Sequence, residues 1–100
     1  MTEEQPDKET VIRLRGDVDL DTHLEVERTI VAALKTGADS VVVDLSEVPF
    51  LDSSGVRALL QARNEALRLE VRLTVRDPQP IVAQVLRLTQ VAPLFGLPSA

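Results

Sequence analysis

Apolar and polar positions alternate with two different periods along the 100-residue chain, and the switches between them divide it into elements. Residues 10–15, TVIRLR, place Ile12 and Leu14 between Arg13 and Arg15, the pattern of a strand with one buried face. Gly16 ends it, and residues 17–22, DVDLDT, form a loop rich in helix-starting side chains. Thr22 or Asp21 is placed to cap a helix, and Glu25, three residues after Thr22, completes the spacing of a capping box. Val26, Ile30, Ala33 and Leu34 then recur at helical spacing, and Gly37 supplies the stop, so a helix is expected over residues 22–36.

Residues 40–45, SVVVDL, are apolar on both faces through Val41, Val42 and Val43, as in a central strand covered by helices. A loop with Pro49 and Phe50 follows, the two residues shaping and packing it. A second helix is expected from about Ser53 to Leu67, buried along Val56, Leu59, Leu60 and Leu67. Residues 70–75 alternate again, with Val71, Leu73 and Val75 on one face. Residues 79–89 carry a third helical stripe of Ile81, Val82, Val85 and Leu86. Pro93 breaks it before a short last turn that tucks Phe95 inward. Strands alternating with helices favour a largely parallel sheet, so the fold class is α/β. The pattern contains no internal repeat and no linker. It divides the chain into a polar tail or weak edge strand at 1–9 and one domain at 10–100.

Composition narrows the function. The 44% hydrophobic and 27% charged residues suit a folded domain, and with Phe50 and Phe95 as the only aromatics the core is aliphatic. A formal net charge of −5 argues against a nucleic-acid binder, whose affinity rests on cations meeting phosphates. With no cysteine there is no disulfide, thiolate metal site or thiol nucleophile. The absence of any apolar run near the ~18 residues of a span, and of a signal peptide, gives the expectation of a cytoplasmic protein without membrane insertion.

Candidate chemistry concentrates at Asp52-Ser53-Ser54-Gly55, where a helix begins. The first N–H groups of a helix have no internal partner and carry the positive end of its dipole, so a phosphate on a serine there meets donors and a favourable field. Gly55 is expected to leave the first turn open to an approaching enzyme. Asp52 or Ser53 also reads as an ordinary N-cap, the commoner role for such residues. Asp17, Asp19 and Asp21 alternate but lack the glycine and glutamate spacing of a calcium loop. His23, the only histidine, reads as a surface residue. Arg57 and Arg63 lie on the second helix and read as solvated charge or partner contacts. There is no P-loop and no G-x-S-x-G elbow, so no catalytic residue, metal site or cofactor is assigned.

Residues 43–60, VDLSEVPFLDSSGVRALL, resemble the signature of STAS domains, the fold of the bacterial anti-sigma factor antagonists. In that family a strand ending in Asp-Leu leads through a loop and an aromatic residue to Asp-Ser-Ser-Gly at a helix start. Residues 16–19, GDVD, match a second motif, and residues 85–95 match the family's broken last helix. Three features depart from it: the acidic N-terminus shows no apolar first strand, Leu69-Glu70 stands where glycine is frequent, and Val56 stands where leucine is common.

The resemblance implies a mixed, mostly parallel sheet of about four strands packed against helices. It implies a non-enzymatic protein that binds an anti-sigma factor/serine kinase when unphosphorylated and so releases a sigma factor. Phosphorylation would switch it off and a serine phosphatase would reset it. It places the phosphate on Ser53, with Ser54 as second choice, and the partner surface at Gly16, Asp19, Asp52, Ser53, Ser54, Gly55 and Arg57. The alternative within the family is a non-switching subunit of a signalling scaffold or lipid-transport ABC transporter. A monomer is the usual state, although a weak first strand leaves an edge able to pair.

Overall fold

The computed structural model describes residues 8–98. They form β1 (Glu9–Arg15), α1 (His23–Leu34), β2 (Ser40–Glu47), α2 (Ser53–Leu69), β3 (Arg72–Arg76), α3 (Pro80–Leu88) and a closing 3-10 turn at Ala92–Phe95. Among the described residues the sheet has three strands in the order β1-β2-β3, parallel throughout. The weak edge strand considered for residues 1–9 falls largely outside the described residues, and β1 begins within its last position, at Glu9.

β2 is central because it is apolar on both faces. Val41, Val43 and Leu45 are fully buried, and Val42 and Asp44 are buried on the opposite face. α1 and α2 pack against each other, α1 against β1 and β2 and α2 against β3. α2 comes close to its neighbours because its inner stripe is small: Ala58, Ala62 and Ala66 are buried with Val56 and Leu59. Leu67, expected inside, is 59% exposed. It stands one residue, about 100° of helical turn, beyond Ala66, which holds the inward position. α2 ends at Glu70, whose φ of 59° is left-handed, so β3 starts at Arg72, two residues after the expected start. Phe95 is fully buried in the last turn, which packs on β3 and α3.

Asp44 is the one buried charged residue among those described, 2% exposed. Register explains its cost being met: Arg13, Asp44 and Arg76 stand side by side across all three strands. Arg76 Nε donates to Asp44 Oδ2 at 3.2 Å and Arg13 Nε lies 3.7 Å away. The other carboxylate oxygen accepts from the Ser46 amide at 2.8 Å and the Ser46 hydroxyl at 2.6 Å. These Ser46 bonds, more than the arginines, hold the Asp44 carboxyl down at about 2.

Candidate functional site

The loops carrying the two sequence motifs lie side by side at the carboxyl ends of β1 and β2. The Gly16 amide donates to the Glu47 carbonyl at 3.0 Å, the Val18 amide to Phe50 at 2.9 Å, and the Asp52 amide to Val18 at 3.2 Å. Val18 and Leu51 form a parallel bridge, and both side chains are buried. Gly16 adopts φ 82°, a left-handed turn that lets the chain leave β1 and run beside residues 47–52. Residues 16–19 thus form an extra rung beneath the start of α2. Asp44 fixes the opposite end of this ladder, because its bonds to Ser46 set the path of the chain leaving β2.

At the start of α2 the side chain of Asp52 is the cap. Its Oδ1 accepts from the Ser54 amide at 2.9 Å and the Gly55 amide at 3.2 Å. The carbonyl of Asp52 accepts the first helical bond, from Val56, at 3.0 Å. Three of the amides expected to await a phosphate are therefore already bonded, Ser54 and Gly55 to the Asp52 carboxylate and Val56 to the Asp52 carbonyl. Ser53 is exposed, and among the described residues its hydroxyl makes no hydrogen bond. Ser54 is half-buried and lines a groove of about 550 Å³ between α1 and α2.

Gly55 does not open space toward solvent. It is buried, and a Cβ there would stand 2.8 Å from the Val18 carbonyl oxygen and 2.8 Å from Leu51 Cγ. The missing side chain lets α2 close onto the Val18 loop, so the expectation of an opening for an approaching enzyme gives way to one of tight internal packing.

Asp19 is half-buried and works locally. Its Oδ1 accepts from the amides of Asp21 at 3.0 Å and Thr22 at 3.2 Å, and its carbonyl accepts from His23 at 2.9 Å. The expected capping box is absent. The Thr22 hydroxyl donates back to the Asp17 carbonyl at 2.8 Å and accepts from the Asp19 amide at 3.0 Å, and Thr22 makes no side-chain cap. Asp19 therefore folds the turn that α1 starts from, in place of Thr22 or Asp21. His23 Nδ1 lies 2.8 Å from the Leu20 carbonyl, so the ring donates there.

The groove between α1 and α2 that Ser54 lines is mixed: Leu20, Leu24 and His23 share it with Glu27, Arg57 and Gln61. Leu20 is 71% exposed, Leu24 54% and Phe50 45%. Arg57, exposed one turn along α2 from Ser53, lines the same groove as Leu20, Leu24, His23 and Ser54. Phe50, expected to pack the loop, instead contributes its carbonyl to the ladder and leaves its ring in solvent. Leu20 and Leu24 escaped the reading of the sequence. Their signal was being apolar outside the phase of the buried stripe at Val26, Ile30, Ala33 and Leu34. Among the described residues no cluster of His, Asp or Glu is arranged to hold a metal ion, and no helix is long and apolar enough to cross a membrane.

Comparison with known proteins agrees with this architecture. The structure of the anti-sigma factor antagonist SpoIIAA in its unphosphorylated form superposes with a TM-score of 0.73 at 27% identity, covering 91% of this chain and 80% of that one. The phosphorylated form of SpoIIAA, a Bacillus cell fate determinant, matches at 26% identity with a TM-score of 0.64, covering 91% of this chain and 83% of that one. An anti-sigma factor antagonist from Mycobacterium paratuberculosis gives 0.76 at 26% identity, covering 97% of this chain and 82% of that one. A sulfate transporter family protein from Wolinella succinogenes shares the fold with a TM-score of 0.76 at 12% identity, over 94% of this chain and 76% of that one. The family model described as "Mlab, STAS domain" matches residues 1–96, and the chain belongs to the STAS domain family.

Proposed function

We propose that this protein is an anti-sigma factor antagonist that binds an anti-sigma factor/serine kinase and is released by phosphorylation of Ser53. The observation that carries the reading is the start of α2. Ser53 presents an unengaged hydroxyl on a turn already completed by Asp52, and its neighbour Ser54 lines a groove with the exposed Leu20, Leu24 and Arg57 and with Glu27. The likeness to SpoIIAA, known in unphosphorylated and phosphorylated forms, supports it.

The same geometry sets how the switch works. Phosphate adds about −1.5 to −2 charge to Ser53, directly beside the Asp52 carboxylate. Because Asp52 already holds the Ser54 and Gly55 amides, the new charge finds little compensation within the helix and faces outward. The fold is left as it was, and the partner meets a total charge of about −2.5 to −3 where it met a hydroxyl beside a single carboxylate. Loss of affinity then comes from repulsion and exclusion at the interface, and a useful switch needs a few kcal/mol of it. The sigma factor is freed when the unmodified protein occupies the kinase. A serine phosphatase restores the hydroxyl, and the cycle runs in the cytoplasm.

A second reading is favoured by the same cap. A helix start complete without phosphate also suits a fixed docking surface, as in a non-switching STAS subunit of a scaffold or lipid transporter. Intact-mass analysis separates the two. Wild type, Ser53→Ala and Ser54→Ala are incubated with ATP and candidate anti-sigma kinases of the same organism. One added phosphate on wild type and Ser54→Ala, absent from Ser53→Ala, is expected. No phosphate from any candidate, with stable copurification of a permease or scaffold, establishes the fixed-subunit reading instead.

A further inference from the structure

Arg57 is the first charged residue of α2 and stands four residues after Ser53. Residues four apart on a helix are neighbours, and helical side chains lean toward the N-terminal end. The Arg57 side chain therefore reaches back toward the turn that carries Ser53. An acid followed at this spacing by a base is the favourable order for a helical ion pair. Ser53 is neutral, so no such pair exists in the unmodified chain. A phosphate on Ser53 creates the missing acid.

Both partners are placed to meet. Ser53 and Arg57 are exposed. Arg13 and Arg76 are engaged with Asp44, Arg15 with Glu47 and Arg68 with Glu65. Arg57 makes no hydrogen bond or ion pair among the described residues, and it lines the α1–α2 groove with Glu27 and Gln61. The backbone of α2 has little to offer the phosphate, because the amides of Ser54, Gly55 and Val56 are all held by Asp52. A side chain must supply the compensating charge. Asp52 adjoins Ser53, and the loop packed on Gly55 carries Asp17 and Asp19 on either side of Val18. From α1 the groove receives His23 and Glu27. His23 has committed Nδ1 to the Leu20 carbonyl, whereas Arg57 is charged at every physiological pH and offers a whole guanidinium fork.

We infer that Arg57 is the internal partner of the modified serine: once Ser53 carries phosphate, the guanidinium turns from the α1–α2 groove onto it, in the forked geometry arginine makes with phosphate. The inference rests on Ser53 being the modified residue, and it deepens the switch. Release then has two components. The partner protein meets the new charge, and it also loses the cation that the groove presented, which leaves Glu27 there without a basic counterpart on α2. Within the fold, attraction by Arg57 opposes repulsion by Asp52, so stability changes little.

Phosphorus NMR titration of the full chain with genetically encoded phosphoserine at position 53 tests it. The second ionisation of phosphoserine falls near pH ~6, and a neighbouring cation favours the dianion and lowers it. Asp52 raises it in every variant alike, so differences between variants isolate the side chain changed. Arg57→Gln is expected to raise the phosphate pKa by about 0.2–0.4 unit above that of the Arg57 protein. Arg57→Lys, which keeps the charge and loses the fork, is expected to recover at least half of that shift. Arg63→Gln, nearly three turns along α2 from Ser53, is expected to leave the titration unchanged, and His23→Gln to move it less than Arg57→Gln does. Equal titrations with Arg57 and Arg57→Gln overturn the inference. So does a shift as large in Arg63→Gln, which would be a general field effect, or a larger one in His23→Gln, which would make the histidine the partner. The phosphate is installed in translation, so the two readings fail separately. Candidate kinases that never modify Ser53 overturn the proposed switch, whereas equal titrations overturn only the part given to Arg57.

Discussion

The two long helices of this protein both begin after an aspartate, and the two starts are built differently. At α1, Asp19 folds a turn upon itself: its carboxylate takes the amides of Asp21 and Thr22, and Thr22 reaches back to Asp17. Everything there is local in sequence. At α2, Asp52 caps the helix directly, and the turn is locked from outside by Val18, which lies more than thirty residues earlier. The first start can loosen by itself. The second is set in a ladder running from Asp44 through Ser46, Glu47 and Phe50 to Asp52. Ser53 on the second start is therefore displayed by a rigid frame, and the phosphate proposed for it would change the surface without changing the frame.

The largest expected effect is at Gly55. Gly55→Ala drives a methyl group into the Val18 carbonyl, a backbone atom that cannot swing aside, and should destabilise the protein by about 2–3 kcal/mol in urea unfolding. A cost below about 0.5 kcal/mol would mean that α2 is not clamped on the Val18 loop.

Asp44 comes next. Its carboxyl lies at about 2 in the fold against an ordinary 3.8, so the folded state binds its proton more weakly than the unfolded chain does. Its stabilisation is complete above pH 4 and is lost as pH falls through about 2. Asp44→Asn should cost about 2 kcal/mol near neutrality, and the gap to wild type should close progressively below pH 4 in acid-unfolding curves. A gap independent of pH would assign the loss to packing.

Asp52→Ala removes the acceptor of two amides and should cost about 1–2 kcal/mol, with Asp52→Asn recovering most of it. Glu25→Ala sharpens the contrast from the other side. The capping box it would belong to is not formed, so its cost should fall within about 0.5 kcal/mol in the same unfolding assay.

Most of the architecture was legible in the sequence because it depends on periodicity. The triple valine of β2 and the three helical stripes each announced an element and most of its buried side, although Ile81 of the third stripe is 57% exposed and Val82 and Leu86 carry the burial. What was not legible depends on register and on contacts between distant segments. Asp44 stands in an apolar run, a visible oddity, but its arginines come from β1 and β3 and appear only when three strands are aligned. Thr22 and Glu25 have capping-box spacing, yet Asp19 already holds the Thr22 amide that Glu25 would take, and the Thr22 hydroxyl is turned back to Asp17. Gly55 suggested openness because a glycine's neighbours are not written beside it; Val18 is the neighbour that reverses its meaning. Leu67 has helical spacing and lost the inward position to Ala66, since a small residue lets the helix approach more closely. At the candidate site, Ser53 and Asp52 stood where the sequence put them. Which amides Asp52 occupies was a matter of geometry.

The central claim is that a phosphate on Ser53 abolishes partner binding by altering the surface of an unchanged fold. The most direct test is the affinity of the cognate anti-sigma kinase for this protein carrying serine or genetically encoded phosphoserine at position 53, with unfolding curves recorded on both. The account predicts at least a ~100-fold weaker complex for the phosphoserine form, about 2.7 kcal/mol, with unfolding midpoints that coincide. Equal affinities would contradict the switch, and a phosphoserine form that is weakened only because it is destabilised would contradict the rigid frame.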